Sequence, residues 1–407
     1  MLARLSSFVV AAVVGCLASV APCQPALGPA SEAAAPPARF EAAPDGAMLI
    51  VPPIEPMVQP IRIEASGLYR LAGNIVMAGD ASALLIERAN VTLDLNGYVI
   101  VGTRGAAPGI SVVGVRSAIT IRNGIVRNFG DGIVLVDALS ARADGLIIET
   151  NVRHGIFSSR SVIAEDCILR GNGGWGMLLG PSSRASRCTA TANTVGGIST
   201  GTDSIIERCI ASGNAGPGID ALSTALVLDS VASGNGANGV LVRANAVVSH
   251  VVTRGNQSNN IEAHEGSVVA FSGAAEGSLQ GIAMLRGVVF ASSASNNQTY
   301  GIGLEHSCGE LLAAFQNQVG VYSSIYASVD GMVATQNTIG LQTSGPASGV
   351  RAWLNTTGID VDSSAVVTNS VSRLNNFSNY FPSGGKFGSI LAESSGAFTT
   401  TNAAFNH

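Results

Sequence analysis

Asn172-Gly173-Gly174-Trp175-Gly176-Met177, Asn193-Thr194-Val195-Gly196-Gly197-Ile198, Asn214-Ala215-Gly216-Pro217-Gly218-Ile219 and Asn235-Gly236-Ala237-Asn238-Gly239-Val240 are four copies of one phrase, 21 residues apart. Outward from them the Asn anchor recurs at Asn128, Asn151, Asn256, Asn297, Asn317, Asn337 and Asn355, with Gly277 filling the one missing place. Three or four residues after each anchor stands a Gly, or Asn260 in one copy, and an aliphatic residue follows it. Self-similarity at a fixed short period is the signature of a stacked repeat architecture. Gly and Asn are the residues that adopt positive φ most easily, so the column reads as a tight turn, and the aliphatic residue after it as the inward start of a strand.

A second column precedes the anchor by three residues: Leu169, Ala190, Ala211, Ala232, Thr253, Ala274, Ala294, Ala314, Ala334 and Ala352. Small residues recurring at one phase mark a narrow part of a shared interior. Two positions earlier lie Cys167, Cys188 and Cys209, continued by Ser230, Val251 and Ser272. Stacked rungs about 4.8 Å apart would bring neighbouring cysteines within disulfide reach, but three in a column leave one over, and the column reads as a buried thiol stack. Short β-branched runs such as Val247–Val251 supply further strands. A unit of about 21 residues is too short for a helix pair and lacks a leucine-rich spacing, which leaves an all-β parallel β-helix.

The recurring Asn-x-x-x-Gly-Ile pattern resembles the right-handed parallel β-helix repeat of the pectin-lyase-like superfamily, over residues 65–380. Gly67-Leu68-Tyr69-Arg70-Leu71 and Asn90-Val91-Thr92-Leu93-Asp94-Leu95-Asn96-Gly97-Tyr98 resemble the amino-terminal coils of its exported bacterial members. The resemblance implies a solenoid of at least twelve coils over residues 61–381, with residues 382–407 as a carboxy-terminal cap or tail. Twelve coils rising about 4.8 Å each would make a rod on the order of 60 Å long. The Ile61–Ala65 region and the tail after Phe381 are expected to cover its ends.

Residues 1–23 have the layout of a secretory leader: Arg4, an apolar run from Phe8 to Val14, then small residues. Val13-Val14-Gly15-Cys16 resembles a lipobox, so Cys16 is either a site of lipid attachment or a cysteine lost with the leader. The Ala- and Pro-rich stretch 24–60 reads as an extended tether. No later apolar run reaches membrane-spanning length. Only 12% of residues are charged, 46% are apolar and the net charge is −5, which excludes a disordered chain. With 22 basic residues, of which Lys386 is the only lysine, nucleic acid is not an expected partner. Neither metal nor cofactor is expected, since no Asp-rich ligand array occurs.

Strand parity counted from each turn residue puts Asp220, Arg243, Glu262, His264 and Glu305 on the outer face, with Arg286 and His306 at the following bend. In this superfamily chemistry resides on such a face. The resemblance thus suggests His264 as general acid or base, Arg243 or Arg286 facing a uronate, and Asp220, Glu262 or Glu305 for proton transfer. The same charges also suit a solvated sheet face, where they keep the protein soluble. A second set, Asp131, His154 and Trp175, occupies one turn position on three consecutive coils: Trp175 offers an indole for sugar stacking, and Asp131 should raise the proton affinity of His154. The superfamily's Asn-Thr-Asp, Gly-His-Gly, Arg-Ile-Lys and Asp-Pro-His motifs are absent. The expectation is therefore an exported protein that binds polysaccharide or serves as a structural or adhesive element, with a uronate-directed lyase or epimerase as the alternative.

Overall fold

The computed structural model describes residues 37–393 apart from 363, 383, 384 and 389. The leader and Cys16 lie outside that range. Every regular element in it is a β-strand, and the strands wind into stacked coils. One face is a sheet of sixteen parallel strands, one per coil, running from Ile61–Ile63 to Ser378–Pro382. The other strands form a second, bent sheet. In a mid-chain coil its two strands are Ile205–Glu207 and Ile210–Ser212, each in register with the strand one coil before and after.

Equivalent side chains stack as the periodicity requires. Ile156, Met177, Ile198, Ile219, Val240, Ile261, Ile282, Ile302, Val321, Leu341 and Ile359 are aligned rung on rung and wholly buried. Each such aliphatic side chain contributes roughly 1.5–3 kcal/mol of transfer free energy, so the column is a principal stabilising element of the stack. The small-residue column from Leu169 to Ala352 is buried throughout. Cys167, Cys188 and Cys209 are free and buried, while Cys308 is exposed.

The turn glycines have a different cause from the expected one. None of Gly155, Gly176, Gly197, Gly218, Gly239, Gly281, Gly301, Gly320, Gly340 and Gly358 has positive φ. They are small because the coils approach closely there. A Cβ on Gly197 would lie 2.4 Å from the Gly218 carbonyl oxygen, 2.9 Å from Asn214 Nδ2 and 3.1 Å from Ala211 Cβ. Positive φ falls elsewhere, at the bend of the second sheet (Arg187, Arg208, Asp229, His250) and just before the Asn anchor (Gly171, Ala192, Gly213, Gly234).

The anchors form a ladder inside the protein. Asn193 Oδ1 accepts both the backbone N–H and the side-chain Nδ2–H of Asn172, at 3.1 and 3.0 Å; Asn193 Nδ2 donates to Asn214 Oδ1 at 3.0 Å and to the Leu169 carbonyl at 3.1 Å. The Asn193 amide therefore fills its bonding capacity, which offsets its desolvation. Two expected members stand outside the ladder. Asn128 has φ 61° and the neighbouring Phe129 N–H meets Asn151 Oδ1 instead. Gly277, with φ 75°, precedes Ser278, which is buried at the ladder position and donates to Asn297 Oδ1 at 2.7 Å.

The coil extends past both expected ends. Arg39–Ala42 and Met48–Val51, inside the stretch read as a tether, form an antiparallel pair, and the latter strand lies in parallel register with Tyr69–Leu71. Ile50 is fully buried there, so apolar burial holds this segment on the stack. The strand Ile61–Ile63 is a rung, paired with Leu84–Ile86. Beyond Phe381, Lys386–Phe387 and Ile390–Glu393 pair with the preceding coil.

Candidate functional site

The outward positions of the sixteen-strand sheet form a column in strict register: Ser199, Asp220, Leu241, Glu262, Ala283, Gly303, Tyr322, Gln342. Parity alone puts them outside, because their neighbours along each strand fill the core. Two consecutive small residues, Ala283 and Gly303, leave a depression between Glu262 and Tyr322. It is a cleft of about 190 Å³ bounded by Asn259, Glu262, His264, Gln280, Leu285, Tyr300, Glu305 and Tyr322. Gly303 matters to its floor: a Cβ there would sit 3.0 Å from Gln280 Oε1 and 3.7 Å from Tyr300 Cδ2.

One wall is polar. Glu262 Oε2 accepts from Asn238 Nδ2 and Asn259 Nδ2, each at 3.0 Å, and Oε1 accepts from His264 Nε2 at 2.9 Å. Burial by itself would push the Glu262 carboxyl up, but the donors His264, Asn259 and Asn238 together outweigh it and hold it below the usual glutamate range. The opposite wall is aromatic, with the Tyr300 and Tyr322 rings stacked at a centroid distance of 4.8 Å and an interplanar angle of 17°. Burial, with Tyr300, Glu305 and Asp362 adding to it, pushes the Tyr322 phenol up, so that it stays protonated and able to donate.

Of the residues expected at the site, the structure brings together Glu262, His264 and Glu305. Arg243 and Arg286 do not line the cleft: Arg243 lies 4.0 Å from Asp220, and Arg286 lies 3.7 Å from Glu265. Asp220 Oδ1 is buried without a hydrogen bond, and burial, opposed by Arg243, pushes this carboxyl up. His306 is exposed and stacks on Tyr326 at 4.8 Å.

Asp131, His154 and Trp175 form a separate cluster in which the expected electrostatics are reversed. Asp131 Oδ1 accepts the backbone N–H of His154 at 2.9 Å, not its ring, and Oδ2 takes Arg153 at 2.5 Å. His154 Nδ1 in turn accepts the Trp175 backbone N–H at 3.1 Å. Burial lowers the imidazole's proton affinity, with Arg153 adding to that and Asp131 only partly opposing it. The Trp175 indole lies over Gly196, where an added Cβ would fall within 2.2 Å of the ring. These contacts tie neighbouring turns together.

Sequence reading missed Tyr300 and Tyr322. The signal was present: Tyr322 is the second residue after Gly320, hence outward by parity, and Tyr300 precedes Gly301 in the turn column that holds Trp175. What no parity rule shows is that two small outward residues on adjacent rungs make a hollow. Among the described residues, no group of three or more His, Cys, Asp or Glu is arranged to hold a metal ion, and no helix is long and apolar enough to cross a membrane.

Residues 60–205 match the sequence profile of the family described as the right handed beta helix region. The chain is a right-handed parallel β-helix. No curated protein matches this β-helix chain in sequence. Solved structures similar to it include the A-module of mannuronan C-5 epimerase AlgE6 from Azotobacter vinelandii, at 13% identity and a TM-score of 0.38, covering 81% of this chain and 91% of that one. The periplasmic alginate epimerase AlgG is similar at 10% identity and a TM-score of 0.39, covering 73% of this chain and 78% of that one. The tailspike protein of E. coli bacteriophage HK620, solved with a pentasaccharide, follows at 11% identity and a TM-score of 0.26, covering 82% and 73%.

Proposed function

We propose that this β-helix binds a polysaccharide, with the Glu262–Tyr322 cleft as its sugar site, in the exported setting that the leader-like segment suggests, in the periplasm or on the outer surface of a bacterial envelope. The carrying observation is the pairing of an apolar floor and stacked tyrosines with a fixed polar wall. A pyranose has the same division: C–H groups on its faces suit an aromatic ring, and hydroxyls around its edge need acceptors and donors. Rungs in register present equivalent positions along the coil axis, which suits an extended polymer.

Titration calorimetry with soluble glycans tests this reading. Tyr322→Ala should weaken binding by roughly 3–10-fold, the scale of one aromatic contact. Gly303→Leu, at ordinary φ, should abolish it by filling the floor. If no glycan binds, or if binding survives both changes, the proposal fails.

A second reading, a lyase or epimerase acting on uronate-containing glycan, draws on one observation: the Glu262–His264 hydrogen bond orients an imidazole at the cleft, as proton transfer requires. It also calls for a cation beside the uronate carboxylate, and the two arginines expected there face Asp220 and Glu265. Incubation with uronate polymers, followed by the ultraviolet absorbance of new unsaturated ends and by NMR for epimerised units, would detect it.

A further inference from the structure

We propose that the cleft selects amino sugars with a free ammonium group, so that its polymer is a glycan of unacetylated hexosaminyl units. This rests on the reading of the cleft as a sugar site and names the substrate class.

Glu262 and Glu305 are the acidic residues bounding the cleft, and no arginine or lysine lines it. The Arg243 and Arg286 guanidinium groups lie nearest Asp220 and Glu265, at 4.0 and 3.7 Å. Glu262 is fixed by two neutral amides and one imidazole, which orient its carboxylate without a guanidinium to neutralise it. Glu305 is exposed and makes no ion pair among the described residues.

The acceptors at the cleft have the same sign: Glu305 offers two carboxylate oxygens, and Gln280 Oε1 overhangs the Gly303 floor. The Tyr300 and Tyr322 hydroxyls suit a sugar's own hydroxyls, whereas two carboxylates at one cleft match a group with three N–H donors and a positive charge. A uronate would bring a third carboxylate next to two others. An N-acetylated unit presents one N–H and no charge.

The test compares three oligosaccharide probes of equal length at low ionic strength by titration calorimetry: glucosamine oligomers, N-acetylglucosamine oligomers and oligouronates. The full chain should bind the glucosamine oligomer at least about tenfold more tightly than the N-acetylated one and the oligouronate not at all, as expected for charges meeting at partly desolvated separation. Glu305→Gln should bring the ratio of the two hexosamine affinities close to one. Glu310→Gln, an exposed acid on the second sheet, should leave that ratio unchanged. Equal affinity for the two hexosamine oligomers, or tighter binding of the uronate, would overturn the amine assignment while leaving the glycan reading in place. An equal loss in Glu310→Gln would reduce the effect to general attraction of a polycation and also overturn it. Absence of binding to every oligosaccharide would remove the glycan reading and this inference with it.

Discussion

Asn256 Nδ2 donates to Asn260 Oδ1 at 2.7 Å, and through this contact a residue in the glycine column repairs the asparagine ladder. The next coil carries Ser278 where an asparagine would stand, so Asn256 lacks its usual partner one rung on. Asn260 takes that place and passes the chain of bonds to Asn297 Oδ1 at 3.3 Å. The smaller Ser278 leaves the room that the Asn260 side chain occupies, which explains why the glycine rule is broken in the coil just before the one where the asparagine rule fails. The same device recurs at the ladder's far end, where Asn375 Nδ2 donates to Asn379 Oδ1 at 2.9 Å.

Asn260→Gly should therefore destabilise the protein by about 1–3 kcal/mol, the cost of buried amide groups left unpaired. Adding Ser278→Asn should recover most of that loss, because the pair restores both columns together. Urea denaturation of the two single variants and the double variant reads the coupling. Additive losses would show that the positions are independent.

Two nearby glycines should respond differently to the same change. Gly218→Ala puts a methyl 2.6 Å from Asn235 Nδ2 and 2.7 Å from the Gly239 carbonyl oxygen, and overpacking of this kind costs about 1–3 kcal/mol. Gly213→Ala meets nothing within 4 Å, and the equivalent residue one coil earlier is already Ala192 at φ 54°. Its cost should stay at or below about 1 kcal/mol. Thermal melts of the two variants decide the comparison.

Asp220→Asn should raise the melting temperature at neutral pH. Burial makes the carboxyl harder to ionise in the folded chain than in the unfolded one. The wild type therefore loses stability as pH rises through the folded value, and the protonated form is the better tolerated. The advantage of Asn should shrink to nothing once the pH falls below the ordinary aspartate range, where both states carry the proton. A melting series across acid and neutral pH checks the sign.

Among Cys167, Cys188, Cys209 and Cys308, only Cys308 should react with an alkylating reagent in the native protein. Hydrogen bonding with Cys188 and burial push the Cys167 and Cys209 thiols up, the same hydrogen bonds push Cys188 down, and all three are closed to a reagent because they are buried. Peptide mass mapping before and after denaturation should show, of these four, one labelled site becoming four.

The solenoid was legible because its stabilising groups repeat at a fixed interval. Ile198, Ile219 and Val240 stack wherever rungs are in register, and strand parity then assigns Asp220, Glu262 and Glu305 to the outside without further information. The reason for the glycine column was not legible, since Gly197 excludes a Cβ through atoms of the next coil and not through its own φ. The direction of the His154 shift was hidden for a similar reason: it is set chiefly by how far neighbouring coils bury the imidazole, which outweighs Asp131 and which proximity along the repeat does not show.

Period, parity and composition by themselves determined the coil, its core column and the outward side of each strand, because these depend only on distances along the chain. Tertiary structure alone decided that Arg243 and Arg286 turn to Asp220 and Glu265, that Tyr300 stacks on Tyr322, and that Ala283 and Gly303 open a hollow beside Glu262. Those outcomes depend on side-chain directions and volumes across neighbouring rungs, which a one-dimensional repeat brings close together but does not orient.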